Sequence, residues 1–141
     1  LGNLKKWEQA VTQFERAVEL DPRYSEGHAG LSFALANMKR LKESLAEARI
    51  AVSLAPNDPD THSNLAWVYS KKGDYLSAVT EYRLAQKIDP KGTDRHRALG
   101  MALKDAGDID GAIAELLTAT QKNSKDYEAS LALQSLMQVR R

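Results

Sequence analysis

Cysteine is absent from this 141-residue sequence, and neither charge sign is in clear excess. The lack of cysteine excludes a disulfide framework and any thiolate metal site. The 20 Lys and Arg residues are balanced by 19 Asp and Glu residues, whereas a nucleic-acid binder normally carries a basic excess. No apolar run approaches the roughly 18 residues that span a bilayer. We therefore expect no nucleic-acid partner and no membrane span.

The compartment is not determined by the sequence. No signal peptide is visible, which slightly favours the cytoplasm. However, the chain starts at Leu1 and not at methionine, so we expect a fragment or a processed product from which a targeting segment could have been removed.

Proline and histidine are also scarce, yet both recur on one period. They lie 34 residues apart (56 − 22 and 90 − 56), at Pro22, Pro56 and Pro90 and at His28, His62 and His96. Other positions keep the same spacing. Small residues form two columns, and a bulkier column lies between them. The three columns are Ala10, Ser44, Ala78 and Ala112; Ala17, Ala51, Ala85 and Ala119; and Phe14, Ala48, Tyr82 and Leu116. A period of this length indicates stacked supersecondary units.

Within each unit the apolar residues are spaced as on an α-helix. Leu31, Leu35 and Met38 step by four and three, which places them on one stripe. We predict helices near 5–20, 25–38, 42–54, 59–72, 75–88, 93–106, 109–122 and 127–139. Aspartates before the helices should cap them, and glycines after the helices should adopt left-handed conformations. The capping residues are Asp58, Asp74, Asp108 and Asp126, with Thr93 for the helix near 93–106, and the glycines are Gly73 and Gly107.

The columns resemble the tetratricopeptide repeat (TPR). The residues of one unit that carry the resemblance are His62, Leu65, Ala66, Tyr69, Gly73, Tyr75, Ala78, Tyr82, Ala85 and Pro90. The resemblance implies an all-α fold, a right-handed superhelical α-solenoid of antiparallel helix pairs with 34-residue repeats. We expect the second helix of an incomplete repeat in 1–24, full repeats in 25–58, 59–92 and 93–126, and a C-terminal capping helix in 127–141.

In the resembled family the first helix of each pair lines a concave groove, and this surface is the usual binding face of repeat proteins. Phe33, Trp67 and Met101 are 34 apart and would form an apolar stripe along that groove. Polar residues border the stripe, and the resulting candidate site for a peptide or protein partner comprises Phe33, Asn37, Asn64, Trp67, Lys71, Arg97 and Met101. The alternative is that the stripe only packs between neighbouring repeats.

Some members of the family hold a peptide carboxylate with a clamp of Lys, Asn, Asn, Lys and Arg. The matching positions from the first full repeat onward are Ala29, Phe33, Asn64, Asp94 and Ala98, and only Asn64 agrees. The sequence therefore does not predict a carboxylate clamp.

We identify no catalytic residue, no cofactor site and no metal site. The three histidines lie on equivalent helices that should be about 10 Å apart, too far for one ion whose donors lie about 2 Å away. The expected function is that of a protein-interaction scaffold and not of an enzyme. Two alternatives stay open: a self-association or structural segment of a larger assembly, and a substrate-binding arm of a larger enzyme.

Overall fold

The chain folds into a stack of helices. The computed structural model describes the backbone of residues 2–140 and the side chains of residues 3–140 other than Thr93, so Leu1 and Arg141 lie outside the described residues. Within this range there are eight helices and no strand. They are α1 (Gly2–Leu20), α2 (Ser25–Asn37), α3 (Leu41–Leu54), α4 (Pro59–Lys72), α5 (Tyr75–Ile88), α6 (Thr93–Asp105), α7 (Ile109–Lys122) and α8 (Tyr127–Arg140).

Each helix packs against the next one in the chain, and α2 also contacts α4. The resulting all-α solenoid of helix pairs is the predicted fold class. The ranges 25–58, 59–92 and 93–126 each contain two helices, while α1 precedes them and α8 follows them. Helix α1 begins at Gly2, earlier than the predicted start near residue 5. In the described residues no helix is both long enough and apolar enough to cross a membrane.

The predicted aspartate caps are confirmed, whereas Thr93 is the first residue of α6 and Gly92 precedes that helix as its N-cap. The Asp58 carboxylate accepts a hydrogen bond from the Asp60 amide. The Asp74 and Asp108 carboxylates each accept one from the amide three residues further along the chain, that of Ser77 and of Gly111 respectively. Each bond satisfies one of the amides that an α-helix leaves free at its first turn. Gly73 and Gly107 have φ values of 83° and 93°, so both adopt the predicted left-handed conformation and end their helices.

Small residues let neighbouring helices approach closely. The alanines of the small columns are fully buried at Ala51, Ala78, Ala85, Ala112 and Ala119. Large residues fill the remaining spaces, and their partners are correspondingly small. A Cβ atom added to Gly30 would lie 2.4 Å from the Phe14 ring, so the bulky residue of one unit packs directly on the glycine of the next.

The histidine column joins the two helices of each unit, and in the first two full units it also reaches the end of the preceding unit. The Nδ1 atoms of His28, His62 and His96 each lie 2.7 Å from a glutamate oxygen of the following helix, which belongs to Glu47, Glu81 and Glu115 respectively. In the first two units the opposite ring nitrogen donates to a proline carbonyl, that of Pro22 at 2.8 Å and of Pro56 at 2.7 Å. The histidines are buried, and each of these two ties three segments of chain together.

The third unit keeps the glutamate but changes the other partner. Lys122 donates to the Pro90 carbonyl at 3.2 Å, and its ammonium group lies 3.1 Å from His96 Nε2. Leu54 and Ile88 occupy the equivalent positions in the first two units. Lys122 therefore takes over the bond to the proline carbonyl that histidine makes elsewhere.

Helix α8 presents a mixed outer face. Gln134, Gln138 and Arg140 are exposed, as a capping helix requires. Large apolar side chains are exposed beside them, with Leu131 at 67% and Val139 at 77% of their full accessible surface. The predicted role of 127–141 as a cap thus rests on a helix that is only partly polar on its outside.

One left-handed position lacks a glycine. Lys39 has φ 63° and shares its column with Gly73 and Gly107. Lys39→Gly is expected to raise the free energy of unfolding by up to about 1 kcal/mol, because it relieves a left-handed penalty of about 1–2 kcal/mol while adding entropy to the unfolded chain. The matched reverse change, Gly73→Lys, should lower it by about 1 kcal/mol through backbone strain alone, since nothing lies within 4 Å of an added Cβ there. Urea denaturation followed by circular dichroism measures both, and a loss of stability in Lys39→Gly would contradict the expectation.

Tyr82 gives the core a dependence on alkaline pH. Burial raises the pKa of Tyr82 to about 12, whereas a tyrosine in an unfolded chain has a pKa of about 10. Because the pKa of Tyr82 is higher in the folded state than in the unfolded state, its contribution to the free energy of unfolding is complete below about pH 10 and is lost as the pH rises towards 12. Between pH 8 and pH 11 the wild type should lose about 1 kcal/mol more stability than Tyr82→Phe. Tyr127→Phe, which alters an exposed side chain, is the control, and equal losses in all three proteins would refute the assignment.

Candidate protein-binding groove

Three aromatic rings form a ladder across helices α1, α2 and α4. The rings of Phe33 on α2 and Trp67 on α4 are stacked with centroids 5.0 Å apart and an interplanar angle of 27°. Trp7 on α1 meets Phe33 edge-on, with centroids 5.5 Å apart. The rings therefore pack between neighbouring units, yet Phe33 keeps 44% of its surface exposed. The same stack serves both as packing and as an exposed apolar surface.

Trp67 separates two adjoining cavities. The first, here called the α4–α6 cavity, has a volume of about 670 Å³ and is lined by residues that include Phe33, Ser63, Asn64, Trp67, Arg95 and Arg97. The second, here called the Met101 cavity, has a volume of about 450 Å³ and is lined by residues that include Trp67, Lys71, Tyr75, Arg97, Met101 and Asp105. Trp67, Tyr82, Arg97 and Ala98 line both, so the two cavities adjoin, and together they are here called the groove.

Two cations of the groove, Lys71 and Arg97, are engaged by neighbouring residues. The Lys71 ammonium lies 5.3 Å from the centroid of the Trp67 ring, within the range of a cation–π contact. Arg97 donates to Asp126 at 3.1 Å, and its Nε lies 3.7 Å from a Glu128 oxygen. The hydrogen bond with Asp126, together with the charges of Asp126, Glu128 and Asp94, raises the pKa of Arg97 above its ordinary value despite partial desolvation.

Asp126 fixes Arg97 because it is itself fixed. It is buried, and its carboxylate also accepts a hydrogen bond from the Ala129 amide at 3.1 Å in the first turn of α8. Asp126 therefore links the groove to the last helix.

The predicted site residues do not all meet. Phe33, Asn64, Trp67 and Arg97 line the α4–α6 cavity, and Lys71 and Met101 line the other cavity with Trp67 and Arg97. Asn37 lines neither cavity. Its amide donates to the Phe33 carbonyl of its own helix at 2.9 Å, a bond that satisfies the side chain locally.

Three residues of the groove were missing from the sequence-based set. Trp7 extends the aromatic ladder, but it belongs to a second helix and so lies outside the column of Phe33. Tyr82 was assigned to packing alone, although it lines both cavities. Arg95 does carry a signal, because its column otherwise holds the smaller residues Gly27, Thr61 and Ala129.

Arg95 is held by two carboxylates. It donates to Asp89 at 2.9 Å and to Asp60 at 3.2 Å. Arg95 belongs to the third full unit, so it joins that unit to the end and to the first helix of the second one. Among the described residues no group of three or more histidine, aspartate or glutamate side chains has an arrangement that could hold a metal ion.

The chain matches models of a known family. Two models described as Tetratricopeptide repeat match residues 1–60 and 49–80. Together they extend over residues 1–80, more than half of the 141 residues. No curated protein matches the sequence.

Solved structures share the fold at low sequence identity. TTC0263, a thermophilic TPR protein of Thermus thermophilus, superposes with a TM-score of 0.84 at 21% identity, over 95% of this chain and 74% of that one. YrrB, a TPR protein with an unusual peptide-binding site, gives a TM-score of 0.77 at 18% identity, over 99% of this chain and 72% of that one. The first TPR of Spaghetti (RPAP3) bound to HSP90 peptide SRMEEVD gives a TM-score of 0.79 at 15% identity, over 84% of this chain and 94% of that one.

At such identities the structural matches establish the fold, and the family models add the sequence pattern of the repeat. Since both agree with the 34-residue columns and with the eight described helices, this chain belongs to the tetratricopeptide-repeat family.

Proposed function

We propose that this protein is an interaction module that binds an apolar segment of a protein partner, as a peptide or as a helix, in the groove over Phe33 and Trp67. The observation that carries the proposal is the stacked pair of rings, part of which stays exposed beside two adjoining cavities. Aromatic residues with a polar surround are typical of the centres of binding surfaces. The groove has that composition.

The related structures support this kind of function. A peptide is bound to the first TPR of Spaghetti, and YrrB is described as having a peptide-binding site. No partner is carried over from these structures, because they share only the fold with this chain, at 15% and 18% identity. The proposal therefore names the groove and the class of partner, and it assigns Asn64, Trp67, Lys71, Arg97 and Met101 to the contact surface together with Phe33. Asn37 is the weakest member of the predicted set, since its amide is already bonded.

Replacing the two stacked rings tests the groove. Phe33→Ala with Trp67→Ala should weaken partner binding at least about 30-fold, because central aromatic anchors typically contribute about 2 kcal/mol or more. Leu84→Ala is the matched control, since it removes an exposed apolar side chain from a second helix. A partner captured from a lysate by the wild type would be identified and its affinity for each variant measured by calorimetry. Unchanged affinity in the double variant would exclude this groove.

A second candidate function, self-association, is favoured by one observation. Helix α8 exposes the four large apolar side chains of Tyr127, Leu131, Met137 and Val139, and exposed apolar surface of this kind can serve in association. Association through this face would make the weight-average mass in sedimentation equilibrium rise with concentration. Leu131→Gln with Met137→Gln should then keep the protein monomeric. A wild-type mass that is monomeric at every concentration would reject this candidate and leave the groove proposal intact.

A further inference from the structure

Basic side chains collect along one edge of the solenoid. The short connections make consecutive helices antiparallel, so α1 and α3 begin at the edge where α2 and α4 end. Residues 2–8, 36–44 and 70–76 lie along this edge and carry seven basic side chains against three acidic ones, whereas the whole chain has 20 and 19. All seven are exposed, and they are here called the basic edge: Lys5, Lys6, Lys39, Arg40, Lys42, Lys71 and Lys72.

Most charges of the basic edge are not neutralised within the molecule. Arg40 is paired with Glu43, and the Lys71 ammonium lies over the Trp67 ring. The ion pairs of the described residues include none of the other five side chains, all of them lysines. Clustered charges of one sign repel each other and attract charges of the opposite sign.

Two residues of the basic edge replace residues that suit the turn better. Lys39 and Arg40 occupy the two columns that hold Gly-Asp in the next two units, and the same columns hold Lys5 and Lys6 in α1. Lys39 consequently has a left-handed conformation, with φ 63°, that favours glycine. Arg40 leaves α3 without the side-chain cap that aspartate gives to α5 and α7. Residues that break local rules in this way are typical of functional positions.

The positive charge does not continue along the whole edge. Residues 104–110 lie where α6 ends and α7 begins, and they carry Asp105, Asp108 and Asp110 with the single base Lys104. Arg140 neutralises one of these acids, Asp110. The edge is therefore positive over its first half and negative over part of its second half.

A short acidic stretch of a protein matches the basic edge better than a nucleic acid or a membrane does. Its three units, stacked about 10 Å apart, give it a length of about 20 Å, which an extended segment of about six or seven residues spans. A duplex or a lipid surface presents negative charge over a longer distance and would reach the acidic half. Single-stranded nucleic acids stack on exposed aromatic rings, whereas Trp7 and Tyr75, the aromatic residues of the three segments, are partly buried.

We propose that the basic edge is a second interaction surface, which binds a short acidic segment of a protein partner. The surface lies outside the groove except at Lys71, which lines the Met101 cavity as well. The inference goes beyond the proposed function and does not depend on it. Single exposed ion pairs contribute little, so binding needs several carboxylates at once and weakens as the salt concentration rises.

A matched pair of peptides tests this surface. The acidic probe is an octapeptide rich in glutamate, and the control peptide has glutamine at the same positions. Fluorescence anisotropy with the whole chain should show binding of the acidic probe alone. A rise from about 20 mM to about 300 mM NaCl should weaken that binding more than about tenfold, because exposed charges are screened. An oligothymidylate and vesicles that contain phosphatidylserine are measured as competing anions.

A double variant separates binding from stability. Lys39→Gly with Arg40→Asp installs the Gly-Asp pair of the next two units, so the midpoint of urea denaturation should not fall, while affinity for the acidic probe should fall about fivefold or more. Arg83→Asp with Lys87→Ser is the matched control. It changes the net charge equally at exposed positions near the other end of α5, and it should alter affinity less than about twofold.

Each outcome bears on a different part of the inference. Equal binding of the glutamine peptide, or unchanged affinity in the Lys39→Gly and Arg40→Asp variant, would overturn the basic edge as a binding surface. Tighter binding of the oligothymidylate or of the vesicles would overturn the assignment to an acidic protein segment. Phe33→Ala with Trp67→Ala should leave affinity for the acidic probe within about twofold, and a large loss there would place the probe in the groove instead.

Discussion

A pair of amphipathic helices cannot bury its apolar face by itself, and the rest of this structure follows from that constraint. Each unit covers the face of its neighbour, so the interface between units must fit at every step. The fit is made by size. Buried alanines let the backbones approach, and a bulky residue such as Phe14 packs on the glycine of the next unit.

The periodic prolines and histidines belong to one interaction. In the first two full units the histidine ring spans from the carbonyl of the proline that ends the preceding unit to a glutamate of the following helix. Each contact therefore joins the end of one unit to both helices of the next. The third unit shows how the contact varies, since Lys122 replaces an aliphatic residue and takes over the proline carbonyl.

The groove is a by-product of the same packing. Phe33 and Trp67 stack because equivalent residues of neighbouring first helices come within contact distance, yet they lie at the edge of the interface and stay partly exposed. Tyr82 belongs both to the core and to the linings of both cavities. Tyr82 therefore contributes both to the core and to the lining of the groove, so a substitution that removes its ring would open the core as well as alter the groove.

The sequence alone determined the fold class, the period, the helix caps and the left-handed glycines, because these depend on local spacing and on the conformational preferences of single residues. It also placed Phe33, Trp67 and Met101 on one face, since equivalent positions of a repeat share a surface. Only the tertiary structure decided which polar side chains are free. Asn37 and Asn64 look alike in sequence, but one amide bonds to its own helix and the other has no partner. The involvement of Arg95 with Asp60 and Asp89 was equally hidden. Such differences depend on which groups meet across helices and units, and the spacing of residues along a single chain does not specify that.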